Sequence, residues 1–406
     1  MFFWLAVVGL AAAGAHYALT KSMQHDVAYY VNAVERLLDG ARLYRDLIDV
    51  NVPTIYWVTA VPVGAARQLG VPATVGFNVF VLLLAALSAA AVFHSARQGA
   101  GHSGWLPEIL TGLLLLWFLV LVRHDFGQRE HLATILLAPY AVIRAGAGPP
   151  GRPGTPLRIL IGIGAGVGMS LKPYFVLILA GMEGALLLRR GWRAWAPSWE
   201  AAALFATAGG CAAATLLLAP EYLETVVPLA RATYHGFEWP ILDIIGSMGM
   251  RRRLLLASGL LAIVLAWRLD QRSGDLALLF SGGGIGALAA FLLQSKGWVY
   301  QLYPALTFSC VAFVIAIAGD LRARLAGRAR RVAVAVVGTL VAIGVAGALL
   351  ELSRAYRADR ALREQSAPVL AALRDHAQGG PALFVSLDVD YTFPGVNYAG
   401  AAYPYR

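Results

Sequence analysis

Charge and cysteine are both scarce. Of 406 residues only 14% are Asp, Glu, Lys or Arg, and two are Cys, whereas soluble domains carry about a quarter charged residues. So little charge excludes a water-soluble globular enzyme. Cys211 and Cys310 both lie inside apolar segments, where a thiol behaves as a small hydrophobe, and a disulfide framework is excluded with them. Polar linkers that would divide a soluble chain of this length into domains are missing too. There is no short-period internal repeat, and the single low-complexity stretch, Gly146 to Pro156, reads as a loop.

Apolar residues are what the chain has in excess: 59% of the total, with a mean hydropathy of +0.65. A spanning helix needs about 20 apolar residues, because lipid offers no partner to an open backbone group. Eleven stretches qualify: Phe2 to Leu19, Thr74 to Phe93, Ile109 to Val122, Glu130 to Ile143, Leu157 to Leu171, Tyr174 to Leu188, Ala201 to Leu218, Leu254 to Trp267, Leu276 to Leu293, Tyr300 to Ala318 and Val332 to Leu350. The expected fold is therefore all-α and polytopic, with about eleven transmembrane helices, interfacial helices on the outer face and a short C-terminal outer tail. Residues 1–350 form the membrane module and 351–406 the tail, which ends abruptly and reads as if it continues in a longer protein. Met1-Phe2-Phe3-Trp4 lacks the basic start of a signal peptide, so the first run reads as a retained helix.

The net charge of +10 would suggest nucleic acid in a soluble protein. Here the arginines fall between apolar runs, which excludes that partner and reports cytoplasmic loops instead. Arg144, Arg152 and Arg158, then Arg189, Arg190 and Arg193, then Arg268 and Arg272, then Arg322, Arg324, Arg328, Arg330 and Arg331 share one side if Pro53 to Leu69 does not span. With Pro53, Pro62 and Arg67 inside it, that segment suits an interfacial helix. The opposite face then carries the first outer loop (20–73), the second (123–131), Lys172 with Pro173, Pro220 to Arg253, Gln294 to Val299 and the tail. Arg251-Arg252-Arg253 fit poorly there: either that span is misplaced or those arginines hold something anionic.

Ionisable side chains at the mouth of a helical bundle are costly to desolvate and so mark candidate sites. His25-Asp26 precedes an amphipathic stretch, Tyr29 to Leu38, which Gly40 stops; Asp26 is either a helix N-cap or a functional carboxylate near headgroup level. The block Arg123-His124-Asp125-Phe126-Gly127-Gln128-Arg129-Glu130-His131 is the densest in the chain. On one helix, Asp125 would pair with Arg129 and Gly127 with His131, with Glu130 facing the bundle. Lys172-Pro173 and Lys296-Gly297 interrupt apolar runs; each lysine either snorkels to lipid or joins a cationic pocket for a phosphate. Trp239, Trp298, Tyr300, Tyr303, Tyr391 and Tyr398 suit an interfacial belt.

The opening loop, His25-Asp26-Val27-Ala28-Tyr29-Tyr30 through Leu37-Leu38-Asp39-Gly40, Leu43-Tyr44-Arg45-Asp46, Asp49, Asn51-Val52-Pro53 and Tyr56-Trp57, resembles the first outer loop of GT-C glycosyltransferases. That membrane superfamily includes protein mannosyltransferases and the lipid A aminoarabinose transferase. Lys172 after a glycine-rich span, and Lys296-Gly297 with Tyr300 and Tyr303-Pro304, look like two further landmarks. The resemblance implies an inverting sugar transfer, from a polyprenyl-phosphate-linked donor to a lipid, glycan or protein acceptor, on the outer face of a bacterial-type inner membrane. It puts Asp26 in the role of general base and Asp125 or Glu130 in that of a second acid. Where many relatives show Asp-Glu, this chain has Asp26-Val27, and the Gln128-Arg129-Glu130-His131 block departs from the usual second-loop pattern.

The chemistry is coherent on its own terms. A hydroxyl acceptor needs a base, and a phosphate leaving group needs cations rather than an acid. His25, Arg129, His131, Lys172, Lys296 and Tyr300 are the candidate substrate-binding residues. The pattern itself identifies no cofactor. A divalent metal could be held by His25, Asp26, His124, Asp125, Glu130 and His131, although their spacing matches no metal motif. Asp388-Val389-Asp390 imitates a DxD motif after an extended run, Ala382 to Leu387, and reads as coincidence. The competing reading is a transporter or flippase of a lipid-linked saccharide, but its matched halves and midplane charges are not seen. A structural or assembly partner in the envelope is a third.

Overall fold

The computed structural model describes residues 2–98, 106–146, 154–192, 198–324, 327–377, 380 and 392–401, and side chains at 325–343 are not among them. The described part is helical. In chain order the helices are α1 Phe2–Thr20, α2 His25–Leu38, α3 Pro53–Leu69, α4 Ala73–Gln98, α5 Leu106–Leu116, α6 Arg129–Ala145, α7 Thr155–Ser170 and α8 Val176–Arg190. The rest are α9 Trp199–Leu218, α10 Val227–Thr233, α11 Ile241–Ser247, α12 Gly249–Ala266, α13 Gln271–Gln294, α14 Tyr303–Arg324, α15 Gly327–Ala377 and α16 Gly395–Ala399. The expected apolar stretches fall on these helices and the short helical turns that adjoin them, and among the described residues four helical segments, Ala73–Gln98, Trp199–Leu218, Gln271–Gln294 and Val299–Leu321, are long and apolar enough to cross a membrane. Arg152, Arg193, Tyr391, most of the 146–156 loop, Ala382 to Leu387 and Asp388 to Asp390 lie outside the described residues.

Without a hydrophobic drive between helices in lipid, close approach depends on small residues. The tightest seam joins α8 to α13, where Gly181 and Gly282 each sit against the other's carbonyl and a Cβ on either would collide with it. α7 packs on α9 in the same way.

Two stretches at one end of the bundle are shaped by local chemistry. Gln24, not Asp26, caps α2, its side chain accepting from the Val27 N–H at 3.2 Å, which leaves the Asp26 carboxylate for other partners. Val27, Tyr30, Val31 and Val34 form the buried face of α2, and the helix ends before Gly40, whose φ is +97°. α3 begins at Pro53, whose missing N–H costs nothing in the first turn, and packs on α2 and α4 as a separate 17-residue helix.

At the other end, the arginines of the short loops meet buried carboxylates instead of open solvent. Arg144 pairs with Glu183 at 2.5 Å and lies 3.8 Å from Glu200, Arg158 pairs with Glu200 at 2.7 Å, and Arg189 pairs with Asp275 at 2.8 Å. Tyr140 donates to Glu183 at 2.6 Å. These pairs tie together α6, α7, α8, α9 and α13.

Helix α15 runs unbroken across residue 350, and the part beyond it lies on the end of α1: Tyr17 donates to the Ala355 carbonyl at 3.4 Å and Asp359 accepts from the Ser22 N–H at 2.6 Å. It also supplies an anion for Arg251: Glu351 takes Arg123 and Arg251 at 3.0 Å each and Arg354 at 3.1 Å, while Arg252 and Arg253 donate to the Met248 and Gly246 carbonyls.

Breaking one buried pair while leaving its partner charged costs about 3–5 kcal/mol, whereas replacing both partners by apolar residues is close to neutral. Arg144→Met should therefore lower the melting temperature in detergent sharply, and Arg144→Met/Glu183→Met should recover most of the loss. A double variant no better than the single one would contradict the pairing.

Candidate active site

The second loop is bent rather than helical. Arg123 has φ +50° and Gly127 φ +87°, and a Cβ at Gly127 would meet the Phe77 ring at 2.7 Å, so only glycine fits that corner. The corner breaks the expected helix between Asp125, in a short turn (123–125), and Arg129, the first residue of α6. The Asp125–Arg129 pair does not form, because the two are not on one helix. The Gly127–His131 contact does: the Gly127 N–H donates to His131 Nδ1 at 3.0 Å.

This bend aims Gln128, Arg129 and Glu130 at the first loop and the α7–α8 break. Gln128 Nε2 donates to Asp26 at 2.8 Å. Asp26 remains partly exposed, at 30% of its side chain, with His25 Nε2 3.4 Å away. Arg129 donates to the Asn51 side-chain oxygen and sits with its guanidinium 5.7 Å from the centre of the Tyr30 ring. Lys172 donates to Glu130 Oε1 at 2.9 Å from the break after α7. Tyr300, in the turn before α14, lies within electrostatic range of Glu130, Asp26 and Arg129.

The cluster is buried and not internally satisfied. Tyr30 Oη, Gln128 Oε1, Arg129 Nε and Glu130 Oε2 are all inaccessible and make no hydrogen bond. Buried polar groups are nearly always paired, so several orphans in one place mark a candidate binding site.

The structure thus brings Asp26, Arg129, Glu130, Lys172 and Tyr300 together, with His25 and Asp125 alongside. Two candidates are placed differently. His131 is fully buried and both its ring nitrogens are used, Nδ1 by Gly127 and Nε2 by the Phe118 carbonyl at 2.9 Å, so it braces the corner and has no atom left for a ligand. Lys296 pairs with Glu238, in the segment between α10 and α11, at 3.7 Å. Tyr303 is buried and donates to the Trp117 carbonyl at 2.8 Å rather than sitting in an interfacial belt. Among the described residues, no three His, Cys, Asp or Glu side chains gather as metal ligands.

Sequence reasoning gave no role to Tyr30, Asn51, Asp49, Tyr56 or Gln128. Their signal was nonetheless present, since four of them lie in the first-loop pattern and Gln128 adjoins Arg129 in the dense block.

Burial dominates the electrostatics of the loop residues. It pushes the Asp125 carboxyl up to about 6 against the pull of Lys21 and Arg123, with Glu130 adding to the rise, and it lowers the Lys172 ammonium to about 8 against the opposing pull of Glu130.

No protein-family model matches the sequence, and no curated protein matches it. Among solved structures, the chain is similar to ArnT from Cupriavidus metallidurans bound to undecaprenyl phosphate: 15% identity over 99% of this chain and 85% of that one, with a TM-score of 0.59. A lesser likeness, TM-score 0.49 and 13% identity over 100% of this chain and 60% of that one, is to the archaeal oligosaccharyltransferase AglB from Archaeoglobus fulgidus, in complex with an inhibitory peptide and a dolichol-phosphate. The chain shares the all-helical fold of this ArnT, the fold that the resemblance of the opening loop implies.

A carboxyl raised to about 6 favours folding when protonated, so its contribution is complete below about pH 4 and lost as the pH rises through 6. The melting temperature of wild type should fall across that window more than that of Asp125→Asn. Parallel pH profiles would contradict the burial of this carboxyl.

Proposed function

We propose that the protein is an inverting glycosyltransferase, moving a sugar from a polyprenyl-phosphate-linked donor to an acceptor hydroxyl on the outer face of the membrane. What carries the reading is the convergence of a half-exposed carboxylate, Asp26, with two buried cations, Arg129 and Lys172, in a cluster whose orphaned polar atoms await a ligand. Support comes also from the shared fold with a protein seen bound to undecaprenyl phosphate.

The steps balance without an outside reagent. Asp26 takes the proton as the acceptor oxygen forms its bond to the anomeric carbon, and the carbon–oxygen bond to the phosphate breaks on the opposite face. The leaving polyprenyl phosphate gains negative charge, which Arg129 and Lys172 stabilise in a dry, low-dielectric site. Lys172 would turn from Glu130 towards the phosphate, and Glu130 would stay as its counter-charge in the empty site. Gln128 holds Asp26 in place through the 2.8 Å bond. Because Lys172 is charged only below about pH 8, phosphate affinity should weaken above that value.

Removing a positioned base costs about 10²–10⁴ in rate. Asp26→Asn should therefore cut release of free polyprenyl phosphate from radiolabelled polyprenyl-phosphate sugars by at least a hundredfold, with donor binding retained. Equal release by both proteins would remove Asp26 from the role of base. Binding without release by wild type, for any donor, would favour a transporter.

A further inference from the structure

We propose that Asn51 is a positioning residue that fixes the Arg129 guanidinium without neutralising it, keeping its charge for an incoming phosphate. The inference rests on the anion-binding reading above.

A buried guanidinium is normally matched by a carboxylate, since an uncompensated charge is costly to desolvate. Arg129 is 8% exposed, yet among the described residues it forms no ion pair. Its recorded partners are a neutral amide oxygen and an aromatic face, and its Nε is buried with no acceptor. The helix carrying it could have met Asp49, which stands nearby in the same loop as Asn51. Instead the carboxylate acts one step back.

Asp49 sets the orientation of the amide. Its Oδ2 accepts from Asn51 Nδ2 at 2.6 Å, from the Asn51 backbone N–H at 3.3 Å and from the Tyr56 hydroxyl. A carboxylate can only accept, so the Asn51 amide must present its NH₂ to Asp49 and its oxygen to Arg129. Tyr44 latches the same residue from the other side, donating to the Asn51 carbonyl. Tyr56–Asp49–Asn51–Arg129 is therefore a directed chain: negative charge sits at its second member, but only a dipole reaches the arginine. Asn51 gives direction, and an anionic ligand would be the first counter-charge bonded directly to Arg129, since Glu130 and Asp26 act on it only at longer range.

The prediction that separates positioning from mere support concerns Asn51→Asp. A stronger bond to Arg129 would be expected to help a scaffold, but here it would fill the place of the ligand's charge. The experiment measures the affinity of the full chain in detergent for undecaprenyl phosphate, alongside the melting temperature. Asn51→Ala should weaken binding about tenfold and Asn51→Asp at least as much. Tyr56→Phe, which removes one hydroxyl from the chain and keeps the ring, should weaken it about threefold and serves if the Asn51 variants do not fold. Wild-type binding with all three variants unchanged would overturn the inference alone. So would Asn51→Asp binding better than Asn51→Ala. Failure of the wild type to bind undecaprenyl phosphate would overturn the anion-site reading, and this inference with it.

Discussion

A cation and an anion that adjoin in sequence, Arg129 and Glu130, are both buried at the start of α6, and the surrounding end of the bundle is built to make that tolerable. Uncompensated charge in a low-dielectric site costs several kcal/mol per ion. Lys172 must therefore come in from the α7–α8 break to meet Glu130, and the first loop must fold down so that Asn51 and Tyr30 reach Arg129. The corner at Gly127 makes this possible, because it starts α6 at Arg129 and turns that end of the helix towards the first loop.

The two ends of the bundle handle charge differently. At the end holding Glu183, Glu200 and Asp275, arginines and carboxylates are matched at short range and the helices are pinned. At the other end the matching is incomplete: Glu130 keeps one bare oxygen, Arg129 one bare nitrogen, and Asp125 a carboxyl lifted by burial. A fully satisfied network rigidifies, while an incompletely satisfied one is suited to binding. Glu351 marks the boundary, since it gathers Arg123, Arg251 and Arg354 and so keeps three more cations from competing for an anionic ligand.

Much of this was legible in the sequence because it depends on composition and period. The apolar runs and the amphipathic α2 follow from spacing alone. So does the isolation of the charged block 123–131, where the cost of burying ions makes density itself a signal. What spacing could not give was direction. The i, i+4 rule placed Asp125 with Arg129, but Gly127, with its positive φ, lies between them and keeps the two off one helix. His131 looked like a ligand by type, and only the positions of the Phe118 carbonyl and Gly127 N–H reveal that its ring is spent on structure. Asn51 carried no charge to draw attention, and its importance comes from Asp49 and Arg129 lying on either side of it.

Arg129 and Lys172 are the two cations proposed to hold the phosphate. The most direct measurement is an experimental structure of the full chain with undecaprenyl phosphate. The phosphate should lie within hydrogen-bond distance of both Arg129 and Lys172, with the Lys172–Glu130 bond lengthened. A phosphate found instead among Arg123, Arg251 and Arg354, with the Glu130–Lys172 pair intact, would contradict that role.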